Sequence, residues 1–165
     1  MSVAQANQSI QLVHYTETFY EELSRFELPL EQREFTSLPM EKMNNPLVED
    51  TACHIVILHE GQVVGYFTLE EGEKLKKYSQ NSNAKLLTSF SINFPHQGKG
   101  YAKSALKQLA NFVVTTYPHV DEIILGVNER NTAAATLYKK IGFVDKGGVF
   151  IGQKGSQHIM HLTIN

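Results

Sequence analysis

The sequence predicts a mixed α/β fold in which helices cover both faces of one sheet, within a single domain of 165 residues. Runs of Val, Ile, Leu and Phe that are long enough for strands alternate with segments whose apolar residues recur at helical spacing. Two pairs of adjacent strand-like runs are joined by short glycine turns, which is typical of β-hairpins. The length suffices to bury a core, and 42% hydrophobic with 19% charged residues is the composition of an ordinary globular protein.

The first third of the chain predicts one strand and then an irregular region. A strand over residues 10–15 precedes a helix that Thr16 caps and that extends to Phe26. Three prolines then punctuate residues 28–49, where only short helices fit. This region is either the rim of a substrate pocket or a simple surface connection.

The middle of the chain predicts a hairpin and an exposed loop. Residues 54–59 and 62–69 are both strand-like, and Glu60 and Gly61 form a tight turn between them. Residues 70–83 are polar and charged, so we expect an exposed loop. The lysines expected in solvent there are Lys74, Lys76 and Lys77.

The C-terminal half predicts two strand–helix units and a second hairpin. A strand from residue 86 leads through a glycine turn into a long helix that Pro118 ends. Residues 122–127 form the next strand, and Asn131 caps a second helix that stops at Gly142. The last two strands are predicted over residues 143–152 and 157–164.

Composition and charge narrow the function classes. The formal net charge of −2 leaves no excess of cations to neutralise phosphates, so nucleic-acid binding is not expected. Cys53 is the single cysteine and has no neighbours at metal-ligand spacing, which suits a reducing compartment and predicts no metal site. We expect it to be a buried strand residue and not a nucleophile. Without a secretory signal or an apolar run near the ~20 residues that span a bilayer, we expect a cytoplasmic protein with no membrane contact.

The turn before the long helix has the sequence Gln97-Gly98-Lys99-Gly100-Tyr101-Ala102. Its glycines allow a sharp bend and leave the first helical amides uncovered, which is the geometry of an anion site. A plain turn with convenient glycines fits the same residues. The turn lacks the Gly-Lys-Ser/Thr ending of a P-loop, and Lys103 stands where a dinucleotide-binding loop has its last glycine, so neither nucleotide motif is present.

Two sequence blocks resemble the GCN5-related N-acetyltransferase (GNAT) family. Gln97-x-x-Gly100-x-Ala102 resembles the family's (Arg/Gln)-x-x-Gly-x-(Gly/Ala) signature. About thirty residues later, Asn131-x-x-Ala134-x-x-Leu137-Tyr138-x-x-x-Gly142-Phe143 resembles its second conserved block. The matched part extends from about residue 86 to Phe143, and the order of strands extends the resemblance over nearly the whole chain.

The resemblance implies a GNAT-like mixed, mostly antiparallel sheet with a splayed central pair of parallel strands. That pair corresponds to residues 86–94 and 122–127, and acetyl-CoA is the implied co-substrate between them. The turn would wrap the pyrophosphate with backbone amides, as the glycine pattern also suggests. Lys99 and Lys103 would meet phosphate oxygens or remain ordinary exposed lysines.

The pantetheine arm has its own implied contacts. Ile92 and Phe94 would offer main-chain groups to it in the manner of a β-strand. Asn131 would cap its helix and also reach the arm. The implied cofactor-binding residues are Ile92, Phe94, Gln97, Gly98, Lys99, Gly100, Tyr101, Ala102 and Asn131.

The implied catalytic residue is Tyr138, whose phenol would point at the thioester sulfur. When an amine attacks the acetyl carbonyl, negative charge leaves on the CoA thiolate, and a phenol can protonate it. A tyrosine that simply packs is the structural alternative. A main-chain amide of the strand before the turn, near Ile92, would polarise the acetyl carbonyl.

No general base is assigned. The strand before the turn carries no Asp or Glu, although some family members have a carboxylate there. Glu70, Glu71 or Glu129 could act through water, whereas His54 and His161 are expected to be structural.

The expected function is direct transfer of an acetyl group from acetyl-CoA to a primary amine in a ternary complex, because the single cysteine lies outside both blocks. The expected acceptor is a small molecule: a polyamine, an amino acid derivative or an aminoglycoside-like amine. Acidic residues give a slight preference for a cationic amine; they are Glu21, Glu22, Glu31, Glu34, Glu70 and Glu71. A peptide or protein acceptor and a non-catalytic acyl-CoA-binding module are the alternatives. A homodimer that pairs through the C-terminal strands is a further expectation.

Overall fold

Seven strands form one sheet in the structure, a computed structural model that describes residues 9–164. The strands are β1 (Ile10–His14), β2 (Cys53–His59), β3 (Gln62–Glu70), β4 (Ala84–Ile92), β5 (Glu122–Asn128), β6 (Val144–Gly152) and β7 (Gly155–Thr163). Their order across the sheet is β1-β2-β3-β4-β5-β7-β6, and β4 and β5 form the parallel pair among antiparallel neighbours. The predicted mixed, mostly antiparallel sheet is confirmed.

The central strands β4 and β5 are paired over only part of their length. Residues 84–87 of β4 are in register with residues 122–125 of β5, and within the described chain the ladder between them ends at Leu87 and Leu125. Beyond these residues, β4 stays paired with β3 and β5 stays paired with β7. The two central strands therefore separate and leave a wedge in the middle of the sheet.

Two long helices cover one face of the sheet. The helices of the described residues are α1 (Tyr20–Ser24), α2 (Leu30–Arg33), α3 (Pro39–Met43), α4 (Gly72–Lys76), α5 (Tyr101–Thr116) and α6 (Thr132–Ile141). Leu106 and Leu109 of α5 belong to the same apolar cluster as Leu87 and Leu125 of the central strands, and Leu137 of α6 packs against that cluster. This face therefore holds the larger part of the core.

The short helices cover the opposite face. Leu23 of α1 is buried with Val56 and Tyr66 of β2 and β3, and Leu75 of α4 is buried with Leu86 of β4. Because side chains alternate along a strand, Leu86 and its neighbour Leu87 face opposite sides of the sheet. The predicted helices on both faces are confirmed.

Residues 70–83 are not the exposed loop that the sequence predicts. Glu70 is the last residue of β3 and is buried, and α4 follows with Leu75 in the core. One apolar residue among many charged ones is a weak sequence signal, but burying Leu75 against Leu86 is enough to anchor a short helix. The expectation of a loop was wrong at this point.

The segment after β1 also differs from the prediction. A 3-10 turn over Glu17–Phe19 precedes α1, and within the described residues the Thr16 side chain makes no cap hydrogen bond to the backbone of that turn. The Thr16 hydroxyl lies 2.5 Å from the Thr18 hydroxyl instead. The side chain of the next threonine competes for the cap, which makes Thr16 a poor helix start.

The single cysteine is half-buried at the start of β2, where a fully buried residue was expected. The Tyr117 hydroxyl donates a hydrogen bond to Cys53 Sγ at 2.7 Å. Cys53 does not line the central cavity described below.

Candidate active site

A cavity of about 660 Å³ fills the wedge between β4 and β5. On the face of α5 and α6 its walls include Ala102, Ala134 and Tyr138, and on the opposite face they include Lys42 of α3 and Lys74 of α4. The cavity therefore passes through the sheet. Two molecules that approach from opposite faces can meet where the strands separate.

The glycine turn forms one end of this cavity. Gly98 and Gly100 have φ values of +79° and +83°, in the left-handed region that favours glycine. Among residues 9–164, no side chain caps the start of α5, which follows Gly100 directly. The first amides of α5 are therefore available to an anion, as the sequence predicts for this turn.

The side chain of Gln97 holds the turn against its surroundings. Gln97 Nε2 donates hydrogen bonds to the Ile92 carbonyl and to Gln32 Oε1, both at 2.8 Å, and Gln32 Nε2 donates to Gln97 Oε1 at 3.0 Å. Both polar ends of the Gln97 amide are thus used within the protein. The side chain fixes the turn to β4 and α2 and leaves anion contacts to the backbone.

Most of the predicted cofactor-binding residues come together in the structure. Those that line the cavity are Ile92, Gln97, Gly98, Gly100, Tyr101, Ala102 and Asn131. Asn131 also caps α6, since its Oδ1 accepts a hydrogen bond from the Ala134 amide at 3.3 Å.

Phe94 and Lys99 are not brought into the cavity. β4 ends at Ile92, and Phe94 begins a 3-10 turn with a proline at its second residue. The Phe94 amide donates to the Glu27 carbonyl at 2.9 Å, and its ring is 53% exposed. Lys99 is exposed in the turn and does not line the cavity. The Phe94 N–H is therefore already used within the protein, whereas the sequence predicts that main-chain groups of Phe94 contact a ligand.

Tyr138 lies where α6 faces the wedge. Its ring packs edge-on against Phe143 with 5.7 Å between ring centroids, and it lines the cavity. Within residues 9–164, no group forms a hydrogen bond with the Tyr138 hydroxyl. Burial raises the pKa of the phenol to about 12, so the hydroxyl stays protonated at neutral pH. The side chain is a free donor aimed into the cavity.

A β-bulge interrupts β4 at the edge of the cavity. Tyr66 of β3 is in register with Ser91, but Thr68, two residues further along β3, is in register with Thr88, three residues earlier on β4. β4 therefore carries one extra residue here, and Ser89 has a φ of +53°. The extra residue turns part of the backbone out of the β3–β4 ladder beside the wedge. Sequence reasoning missed this feature; its only signal is the presence of Thr88, Ser89 and Ser91 between Leu87 and Ile92.

A buried ion pair lies at the other end of the cavity. Lys42 Nζ donates to Glu70 Oε2 at 2.8 Å, and the two side chains are 10% and 5% exposed. The Thr88 hydroxyl donates to the same carboxylate oxygen at 2.6 Å. Because α3 and β3 are distant in sequence, nothing in the sequence pattern pairs these residues.

The carboxylates considered as bases are held in structural contacts. Glu70 is the partner of Lys42, and Glu71 accepts a hydrogen bond from Lys85 Nζ at 2.9 Å. Glu129 does not line the cavity. The two histidines are structural, as predicted: His54 Nδ1 lies 2.5 Å from the Tyr66 hydroxyl, and His161 Nδ1 lies 3.0 Å from Glu122 Oε2.

Two further searches cover the described residues 9–164. They contain no group of three or more His, Cys, Asp and Glu side chains arranged to hold a metal ion. In the same part of the chain, no helix combines the length and the hydropathy needed to cross a membrane.

Comparison with known proteins gives a consistent result. The model of the Acetyltransferase (GNAT) family matches residues 16–143. The uncharacterized N-acetyltransferase YbbJ of Bacillus subtilis (strain 168) is 43% identical over 155 residues, which is 93% of this chain and 97% of that protein.

Similar solved structures include an aminoglycoside acetyltransferase and a spermidine N-acetyltransferase. The aminoglycoside acetyltransferase AAC(6')-Ib in complex with coenzyme A has a TM-score of 0.75 at 18% identity, over 94% of this chain and 95% of that one. The spermidine N-acetyltransferase from Vibrio cholerae, in complex with CoA and spermine, has a TM-score of 0.70 at 18% identity, over 94% and 96%. At this identity the likeness concerns the fold.

Proposed function

The chain belongs to the acetyltransferase (GNAT) family and is an acyltransferase, and from that premise we propose that it moves an acetyl group from acetyl-CoA to a primary amine of a small molecule. The observation that carries this proposal is the unpartnered, protonated phenol of Tyr138 in a cavity that passes through the sheet. A proton donor at that place contributes to catalysis if a leaving group develops negative charge nearby.

The cofactor contacts follow from the wedge. The amides at the start of α5 bind the pyrophosphate, because the helix begins without a side-chain cap and its dipole favours an anion. The unpaired edges of β4 and β5 provide main-chain groups to the amides of the pantetheine arm, with Asn131 beside them. Lys103, exposed one residue after Ala102, remains an auxiliary candidate for a phosphate oxygen.

The reaction needs two donors at the reacting centre. The acceptor nitrogen attacks the acetyl carbonyl carbon, the carbon–sulfur bond breaks, and the phenol of Tyr138 gives its proton to the departing thiolate. A main-chain amide at the bulge near Ser89 stabilises the oxyanion. The sequence suggested such an amide near Ile92, three residues further along β4. The amine loses its proton to solvent, and solvent returns a proton to the Tyr138 phenolate.

The acceptor belongs to one of three classes of small amine: polyamines, amino acid derivatives and aminoglycoside-like amines. The similar fold of enzymes named for aminoglycosides and spermidine supports a small acceptor. The cavity volume of about 660 Å³ must hold the reacting part of acetyl-CoA together with the acceptor, which also favours a small molecule.

The test is thiol release from acetyl-CoA with a panel of amines. We expect thiol release above the rate of hydrolysis with at least one small amine. We also expect a product that is about 42 Da heavier than the acceptor, because an acetyl group replaces one hydrogen. Release only with peptides would indicate a peptide acceptor. Tight acetyl-CoA binding without release for any amine would favour a non-catalytic acyl-CoA-binding module.

We also propose a homodimer formed through the C-terminal strands. β6 is an outer strand of the sheet, and its exposed apolar side chains support this proposal: Val144, Val149 and Ile151. Light scattering at micromolar concentration should give twice the monomer mass, and a monomer mass would contradict the proposal. A cytoplasmic location remains a prediction from the composition.

A further inference from the structure

The acceptor end of the cavity is the end that contains the Lys42–Glu70 ion pair. A second lysine at this end has no ion-pair or hydrogen-bond partner among the described residues. Lys74 lies half-buried on α4 and lines the cavity. In the described chain, no carboxylate or carbonyl forms an ion pair or hydrogen bond with its ammonium group. The charged groups that act on it are Lys42, Glu70 and Lys77. Glu70 acts on Lys74 as a nearby negative charge, but its carboxylate is already bonded to Lys42 and Thr88 and forms no ion pair with Lys74.

This arrangement is costly for the protein alone. Burial lowers the pKa of Lys74, Lys42 lowers it further, and Glu70 only partly opposes these effects, so the environment as a whole disfavours the charged ammonium. A ligand anion beside the ammonium would reverse both effects, because it replaces lost hydration and opposes the field of Lys42.

The rest of this wall offers neutral hydrogen-bonding groups. Thr36 lines the cavity, and its hydroxyl is buried with no hydrogen-bond partner within residues 9–164. The Tyr78 hydroxyl, one helical turn beyond Lys74, donates to Gln157 Oε1 at 3.1 Å. A hydroxyl without a partner, such as that of Thr36, is able to donate to an anionic group in the cavity.

Acidic groups are scarce in the cavity. Among the described residues that line it, Glu31 is the acidic one. It adjoins Gln32, whose side chain is hydrogen-bonded to Gln97 of the glycine turn. A polycationic acceptor would therefore meet the lysines Lys42 and Lys74 and a single lining carboxylate, that of Glu31.

We propose that Lys74 binds an anionic group of the acceptor, so that the substrate is an amine that also carries a carboxylate or a phosphate. This inference rests on the proposed acetyl transfer and narrows its acceptor class. Of the three classes of small amine, it selects amino acid derivatives and related amino acids over polyamines and aminoglycosides. The amine reacts near Tyr138 while the anion lies at the α4 wall.

The experiment compares matched acceptors with matched variants of the full chain. The acceptors are an α-amino acid, its carboxamide, O-phosphoethanolamine and putrescine, which separate carboxylate, neutral, phosphate and cationic groups. The variants are Lys74→Met, which removes the charge, and Lys74→Arg, which keeps it. Lys77→Met is the control, because Lys77 is exposed and lies outside the cavity wall.

The first readout is kcat/KM for each acceptor. We expect the wild type to prefer an anionic acceptor over its neutral or cationic analogue by about 10-fold or more, and Lys74→Met to abolish that preference with the KM for acetyl-CoA unchanged. Lys74→Arg should keep part of the preference, and Lys77→Met all of it. The ratio of amino acid to O-phosphoethanolamine decides between carboxylate and phosphate.

The second readout is calorimetric binding of the same compounds to the CoA complex, which does not require turnover. If no acceptor is acetylated, the proposed function fails, but selective binding of anionic amines that Lys74→Met abolishes still supports the subsite. Equal or tighter binding of putrescine and the carboxamide by the wild type overturns the inference, whether or not acetyl transfer occurs. So does an anion preference that survives in Lys74→Met.

Discussion

Tyr138→Phe is expected to lower the single-turnover rate of acetyl transfer by about 100-fold, with little change in acetyl-CoA binding. The substitution removes one hydroxyl and keeps the ring that packs edge-on against Phe143. Because the hydroxyl makes no hydrogen bond within the described protein, its loss leaves no partner unsatisfied, and the fold should be unaffected. A large effect on rate therefore reports proton donation to the thiolate.

The pH dependence of this variant gives a second check. Burial raises the pKa of Tyr138 to about 12, and a phenol is a donor below its pKa, so it remains protonated from pH 6 to 10. The ratio of wild-type to Tyr138→Phe rates should therefore stay constant over that range, while both rates rise as the acceptor amine loses its proton. A ratio that falls already near pH 8 would mean that another group supplies the proton.

Tyr117→Phe is the matched control. Tyr117 is another tyrosine with a raised pKa, but its hydroxyl donates to Cys53 Sγ and it does not line the cavity. We expect its acetyl-transfer rate to remain within about twofold of the wild type, a factor of two being less than 0.5 kcal/mol. Equal rates for the wild type and Tyr138→Phe would contradict the proposal that Tyr138 is the general acid.

Glu70→Leu is expected to lower the free energy of unfolding by roughly 3–5 kcal/mol. The change leaves the Lys42 ammonium, whose side chain is 10% exposed, without its counter-charge, and it removes the acceptor of the Thr88 hydroxyl. An unpaired buried charge is among the most destabilising changes that one substitution can cause. Urea unfolding followed by far-UV circular dichroism measures the loss.

The double variant Lys42→Met/Glu70→Leu separates the effect of the charge pair from the effect of packing at the same place. With both charges replaced by apolar groups of similar size, most of the stability should return, since a buried pair and a well-packed apolar pair are often comparable. The exposed pair of Lys76 and Glu73 provides the control, and Glu73→Gln should leave the unfolding midpoint unchanged within error. A double variant as unstable as Glu70→Leu would show that packing, and not charge pairing, dominates at this site.

The strands, the long helices and the glycine turn could be predicted because each is a local pattern. The apolar spacing of α5 and the glycines before it depend on neighbours in sequence, and the structure keeps both. Tyr138 could be selected because the residues around it resemble the family's second conserved block. The family resemblance then gave the type of reaction, which composition and periodicity could not.

The acceptor end could not be predicted, because it depends on contacts between distant residues. Lys42 meets Glu70 across 28 positions, and Lys74 is half-buried only because Leu75 anchors α4. The bulge at Ser89 arises because β4 carries one more residue than the stretch of β3 that it pairs with, and the sequence of neither strand shows this alone. Phe94 differs from the prediction because β4 ends at Ile92 and the Phe94 amide donates to the Glu27 carbonyl, a contact between distant residues.

The separation of β4 and β5 also bears on how the protein avoids aggregation. Beyond Leu87 and Leu125, each strand presents backbone groups that no neighbouring strand pairs, in the middle of the sheet. On an outer strand, such groups would allow a strand of another protein chain to pair with the sheet. Here the ladder before Leu87 closes one end of the gap, and α6 on one face and α4 on the other flank it. A slender ligand with its own amides can enter, whereas a strand with side chains on both faces would collide with these helices.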